Sequence, residues 1–231
     1  EWFLGVNPRG LVPVLIHDGV VHIESNDILM YLDKQYTEPK LVPKGREEEM
    51  LCLLEHEDDL HLDLRNLTIR YLIPPDLVGK SPEVLASYRR YGSGMVQGKS
   101  DNTRPLELDY WEHFNSNGGV SDDDVAVSAH RFYEELNSLE KILTKQNFLF
   151  GKILSLLDVA WFVYVTRMKL VSYPVEKLHP LVDKWYEDLK ARPAFMDETK
   201  VPEHVWTQLV DRRTRDRRDG RSLIQLAGFD D

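Results

Sequence analysis

Apolar residues alternate with other positions at Val12, Val14 and Ile16, the period of a half-buried strand. Asp18-Gly19 follows, a two-residue hairpin signal, and Val20 to Ile23 makes a second strand. Ser25 stands as N-cap of a short helix with Ile28, Leu29 and Leu32 on its apolar face. From Arg46 to about Tyr71 the period lengthens. Met50, Leu53, Leu54, Leu60, Leu64 and Leu67 recur at three- and four-residue steps and predict one long amphipathic helix. Between 74 and about 120 the helical pattern breaks at Pro74-Pro75, Gly79, Ser81-Pro82, Gly92-Ser93-Gly94, Gly98, Pro105 and Gly118-Gly119. This is an insertion with one short helix, Pro82 to Tyr91.

Ser121-Asp122-Asp123-Asp124 then caps a helix of roughly Val125 to Lys145, with Phe132, Leu136, Leu139, Ile142 and Leu143 as its buried stripe. After a turn at Asn147 to Gly151, Ser155-x-x-Asp158 has the form of a capping box, a structural role. The helix behind it, Leu156 to Val171, is apolar nearly all round and predicts the buried central helix. Leu178 to Lys190 is amphipathic again. The tail mixes Arg212, Arg213, Arg215, Arg217, Arg218 and Arg221 with Asp211, Asp216 and Asp219, as a solvated tail or helix end does. The pattern is therefore α+β, mainly α. A hairpin-and-helix unit at 1–36 and a linker at 37–45 (TEPKLVPKG) precede a helical region at 46–231, which carries the insertion and the charged tail.

Composition narrows the function classes. The formal net charge of −10 argues against a nucleic-acid binder, which needs clustered Lys and Arg. The longest apolar stretch, Ile153 to Val165, is broken by Ser155 and Asp158, so no membrane span is expected. The single cysteine, Cys52, forbids an internal disulfide and suits a reducing, cytoplasmic setting; its helical, partly apolar surroundings predict a buried structural thiol. His56 and His61 stand five residues apart on a helix, which splays them, and no metal is expected.

The chemistry points to the first hairpin. Pro13 sits inside an apolar strand, where it removes a ladder donor; a cis Val12-Pro13 bond is one solution, turning the Val12 backbone outward. The helix start after Glu24 offers N–H groups and a partial positive charge to a small carboxylate. Together they suit a short peptide with a free α-carboxylate. An edge proline beside an ordinary N-cap is the plainer reading of the same residues.

Here the chain resembles a known family. Asn7, Pro8, Gly10, Val12, Pro13, Val14, Leu15, Asp18, Gly19, Glu24, Ser25, Ile28, Tyr31 and Leu32 match the second half of the thioredoxin-like domain of cytosolic glutathione transferases. Phe148-Leu149-Phe150-Gly151 with Ser155 and Asp158, and the later Arg192-Pro193-Ala194-Phe195, resemble that family's all-helical C-terminal domain, with Leu157 where alanine is usual. The resemblance covers about 1–36 and 125–195, and leaves out the insertion and the tail.

It implies a partial thioredoxin-like domain followed by a helical bundle, with glutathione as co-substrate. The residue before the cis-proline, Val12 ahead of Pro13, pairs with the cysteinyl backbone of glutathione, and Glu24-Ser25 hold its γ-glutamyl end. The activating Ser, Tyr or Cys lies in a segment expected upstream of Glu1, in a longer natural protein, and no residue here stands in for it. Arg65, Tyr71, Tyr88, Tyr91 and Trp111 are the candidates for a wall against an apolar or aromatic electrophile. The insertion's aromatics read either as a lid over that substrate or as packing against the helices. A long insertion is similar to bacterial β-aryl-ether-cleaving and dehalogenating members. The family also implies a homodimer. The competing reading is a non-catalytic scaffold of transferase-like fold that works through protein contacts.

Overall fold

The computed structural model describes residues 2–36, 38–74, 77–90, 95–96 and 99–229. In chain order the elements are α1 (Trp2–Val6), β1 (Val14–His17), β2 (Val20–Ile23), α2 (Ser25–Tyr36), α3 (Glu47–Asp58), α4 (His61–Leu72), α5 (Pro82–Arg90), β3 (Met95–Val96) and β4 (Lys99–Ser100). There follow α6 (Thr103–Ser116), α7 (Asp122–Leu143), α8 (Leu156–Leu170), α9 (Val175–Leu178), α10 (Pro180–Lys190), α11 (Pro193–Met196), α12 (Glu203–Arg218) and α13 (Leu223–Ala227). The fold is α+β and mainly helical, as the hydrophobic pattern predicts. Among the described residues no helix is long and apolar enough to cross a membrane.

The chain forms two compact units, Glu1–Thr37 with Pro75–Gly119, and Glu38–Pro74 with Val120–Asp231. In the first, β1 and β2 pair antiparallel from Val14↔Ile23 to His17↔Val20. Asp18 at φ 50° and Gly19 at φ 78° make the left-handed pair that closes a type I′ hairpin. Thr103–Ser116 is a full helix, where the glycine and proline punctuation predicts irregular chain. Pro105 lies in its first turn, where a missing N–H has no intrahelical bond to break. Tyr91, Thr37, Pro75, Gly92, Ser93, Gly94 and Gly98, all used in the sequence analysis, lie outside the described residues.

The second unit is a helical bundle around α7 and α8. Phe132, Leu136, Val165 and Met168 have no exposed surface. Both helix starts are capped as predicted, and Ser121 and Asp124 form a capping box as well. The Asp124 N–H donates to Ser121 Oγ at 3.0 Å, and the Ser121 N–H donates back to Asp124 Oδ2 at 3.0 Å. Asp158, fully buried, collects four donors. Leu149 N–H and Trp185 Nε1–H reach Oδ1 at 2.8 and 2.9 Å, and Ser155 N–H and Oγ–H reach Oδ2 at 2.9 and 2.6 Å. This carboxylate ties the 148–151 turn and α10 to the start of α8. Burial raises its pKa despite those four bonds.

Three further expectations change. The single helix over 46–71 is two, broken at Asp59-Leu60, where Leu60 N–H turns back to the Glu57 carbonyl at 3.1 Å. Carboxylates at 55, 57, 58 and 59 end α3, against the partial negative charge of a helix C-terminus. Cys52 is exposed, because α3 buries Met50, Leu54 and Glu57 and turns position 52 to the opposite side. The helix expected over Leu178–Lys190 is divided at His179, and Pro180 opens α10 as its first residue. The charged tail is largely the helix α12. Its Arg212 donates to the carbonyls of Ile73 (2.7 Å) and Arg70, and Arg213 to that of Leu170 at 2.5 Å, so both arginines cover the C-terminal ends of α4 and α8.

Candidate functional site

The site is built on the turn from Asn7 to Pro13. Asn7 is buried; its Nδ2–H donates to the Leu11 carbonyl at 2.7 Å and its Oδ1 accepts from the Arg9 N–H at 3.0 Å. One side chain thus folds the loop, which is why an asparagine opens the motif. Gly10 has φ 72°, a left-handed backbone that favours glycine, and a Cβ there would press on Leu4 Cδ2 at 3.0 Å.

The Val12-Pro13 peptide is cis. The β1–β2 ladder ends at Val14↔Ile23, so Val12-Pro13 and Glu24-Ser25 leave its two strands at the same end. Val12 is 79% exposed, and Pro13 and Ser25 are exposed beside it. Among the described residues the Val12 backbone makes no hydrogen bond.

Glu24, not Ser25, caps α2: its carbonyl accepts the Ile28 N–H at 2.9 Å, and Ser25 is the first helical residue. There its N–H has no intrahelical acceptor. Glu24 reaches this geometry at φ 70°, a region that costs a non-glycine residue about 1–3 kcal/mol. Such a conformation repeatedly marks ligand sites.

A cleft of about 210 Å³ opens beside Glu24, lined by Arg9, Ile23, Glu24, Asp27, Val96, Ser100 and Asp101. Arg9 sits between two carboxylates. Its Nη1 lies 2.5 Å from Glu24 Oε1, and its Nε and Nη2 donate to Asp101 Oδ1 at 3.1 and 2.6 Å. Burial works against the guanidinium charge; Asp101 and Glu24 more than offset it and raise the Arg9 pKa. With Glu24, Asp27 and Asp101 against one arginine, the cleft favours a cationic group beside the helix start. Sequence reasoning missed Arg9 and Asp101. Position 9 is not among the residues that match the motif, and nothing near Asp101 marks it.

Two family models match the chain. The one described as the glutathione S-transferase N-terminal domain matches residues 1–40, and the one described as the glutathione S-transferase C-terminal domain matches residues 125–188. The chain belongs to the glutathione S-transferase superfamily. Among its glutathione transferase relatives, it is 26% identical over 202 residues to glutathione S-transferase hmp2 of Hypomyces subiculosus, which covers 86% of this chain and 79% of that protein. It is 22% identical over 206 residues to LigF of Sphingobium sp., covering 85% of this chain and 76% of that one. The crystal structure of β-etherase LigF shares the fold at a TM-score of 0.64, with 22% identity over 85% of this chain and 81% of that one. A sphingomonad glutathione S-transferase solved in complex with glutathione does so at 0.53, with 20% identity over 85% and 76%.

The four described wall candidates divide between the chain's two units. Tyr88 and Trp111 lie in the first. The Tyr88 hydroxyl donates to the Arg9 carbonyl at 2.5 Å, and its ring carries the Arg104 guanidinium at 4.0 Å. Trp111 packs against Tyr110 and Phe114, with the Lys80 ammonium 5.0 Å from its ring centre. Arg65, half-buried, and Tyr71 belong to the helical unit. Tyr71 is 7% exposed, donates its hydroxyl to the Arg221 carbonyl at 3.1 Å and has its pKa raised by burial. It packs in the core of the helical unit. Ser155 and Asp158 hold the structural cap described above.

Proposed function

We propose that this chain binds glutathione through the Val12 backbone, with Pro13 setting the turn and Glu24 and Ser25 receiving the γ-glutamyl end. The proposed reaction is attack of the thiolate on an apolar or aromatic electrophile. The observation that supports the reading is the end of the hairpin, where the exposed Val12, whose backbone makes no hydrogen bond among the described residues, leaves β1 at the end from which β2 runs into the start of α2 at Ser25. An extended peptide pairs with such a backbone as with a sheet edge. An amino-acid-sized end group then meets N–H groups at Ser25 and carboxylates at Glu24 and Asp27.

The sulfur chemistry follows from the ligand. A free thiol has a pKa of about 8.5, and its thiolate is the nucleophile. In the attack a C–S bond forms, and the electron pair of the broken bond leaves with a halide or an aryl oxide; in a conjugate addition it passes to the acceptor and is protonated. These residues hold and orient the peptide. The group that stabilises the thiolate is not assigned to any residue of this chain. The family resemblance further supports a homodimer working in the cytoplasm.

Calorimetric titration with glutathione tests the reading. The wild-type chain is expected to bind, and Ser25→Ala and Glu24→Ala to weaken binding by about tenfold or more, the loss of one charge-assisted hydrogen bond. Wild-type affinity in both variants refutes the site. Absence of binding by the wild-type chain refutes the function and returns the scaffold reading.

A further inference from the structure

We infer that the insertion is part of the glutathione seat, and that Asp101 is a positioning residue that sets the Glu24 carboxylate through Arg9. The inference rests on the proposed glutathione binding and extends it to a segment outside both family matches. Three groups of the insertion hold the turn that carries Arg9. Asp101 fixes the guanidinium through two hydrogen bonds to Oδ1, an oxygen that also accepts the Thr103 hydroxyl at 3.2 Å. Tyr88 holds the Arg9 carbonyl at 2.5 Å. Arg104, 6% exposed, donates to the Pro8 carbonyl at 3.2 Å and lies on the Tyr88 ring.

The Asp101 side chain is 6% exposed, and its Oδ2 has no hydrogen-bond partner among the described residues. A buried carboxylate persists when a cation opposes it, and here the opposing cation is Arg9. Asp101 takes Nε–H and one Nη2–H, and Nη1 is the nitrogen that meets Glu24. Glu24 is thereby held in place while keeping carboxylate capacity for a ligand ammonium at the cleft. Without the Asp101 charge the whole guanidinium turns to Glu24, and the cleft loses one of its three carboxylates. The expected result is weaker recognition of the γ-glutamyl α-ammonium, with the peptide pairing at Val12 intact.

The test compares glutathione with cysteinylglycine, which lacks the γ-glutamyl residue, by calorimetry on the whole chain. Asp101→Asn and, as a second variant, Arg9→Lys are expected to bind glutathione about five- to tenfold more weakly. Cysteinylglycine affinity should stay at the wild-type level, and Asp101→Glu should recover part of the loss. Glu112→Ala, which breaks only the exposed Arg89–Glu112 pair of the insertion, should match wild type for both ligands. Unchanged glutathione affinity in Asp101→Asn and Arg9→Lys overturns the inference and leaves the proposed function standing. Equal losses for both ligands, or loss of the folded state in both variants, assign Asp101 a structural role and also overturn it. If the wild-type chain binds no glutathione, both readings fall.

Discussion

Lowering the pH from 7 to 5 should weaken the helical unit through His179. This imidazole has no exposed surface, its Nε2 is 2.8 Å from the Tyr173 hydroxyl, and its ring stacks on Tyr173 at 5.8 Å between centroids. The Tyr133 ring lies 5.5 Å away. No carboxylate takes part in these contacts, so a charge here would be poorly solvated. Burial lowers the pKa from the ordinary 6.5 to about 4. Between those values the unfolded chain binds a proton that the folded chain does not. Stability therefore rises with pH through this window: the contribution is fully present above 6.5 and is lost as pH falls towards 4. The gap corresponds to about 3.4 kcal/mol in full, of which about 2 kcal/mol is gone by pH 5. Urea denaturation followed by circular dichroism at pH 7 and pH 5, on wild type and His179→Gln, measures it. The variant is less stable at pH 7 but should lose about 2 kcal/mol less than wild type on acidification. Asp63 and Asp158, whose pKa values burial raises, change stability in the opposite sense and are common to both proteins, so they cancel in the difference. Equal losses in the two proteins would refute the argument.

Two stability predictions follow from buried hydrogen bonding. Asp158→Ala leaves buried donors of Leu149, Ser155 and Trp185 without an acceptor and should cost about 3–5 kcal/mol in urea denaturation, with Asp158→Asn costing less because one oxygen remains. Arg212→Ala removes the donors to two carbonyls at the end of α4 and should cost about 1–3 kcal/mol; a midpoint equal to wild type would show that water replaces the guanidinium there.

The parts legible in the sequence are those that physics decides within a few residues. Asp18-Gly19 closes its hairpin because both residues tolerate positive φ, and the Ser155/Asp158 and Ser121/Asp124 boxes form because three residues of helix bring each pair together. The apolar period of 156–171 sufficed to place the central helix. Local rules misjudged Pro105, since a proline breaks a helix or begins one according to a position that neighbouring structure sets. They also misjudged Cys52 and the 46–71 helix, where the direction of burial is settled by packing partners far along the chain.

For the candidate site, the motif marked Val12, Pro13, Glu24 and Ser25, because a turn, a hairpin register and a helix start are short-range features. It did not mark the Arg9–Asp101 pair. Those two residues are 92 positions apart, and neither charge has a local pattern that names its partner. Only the tertiary structure, by folding 75–119 together with the first hairpin, put the buried carboxylate beside the guanidinium. The physical reason is that opposite charges select each other by distance and desolvation, and neither is a property of sequence spacing.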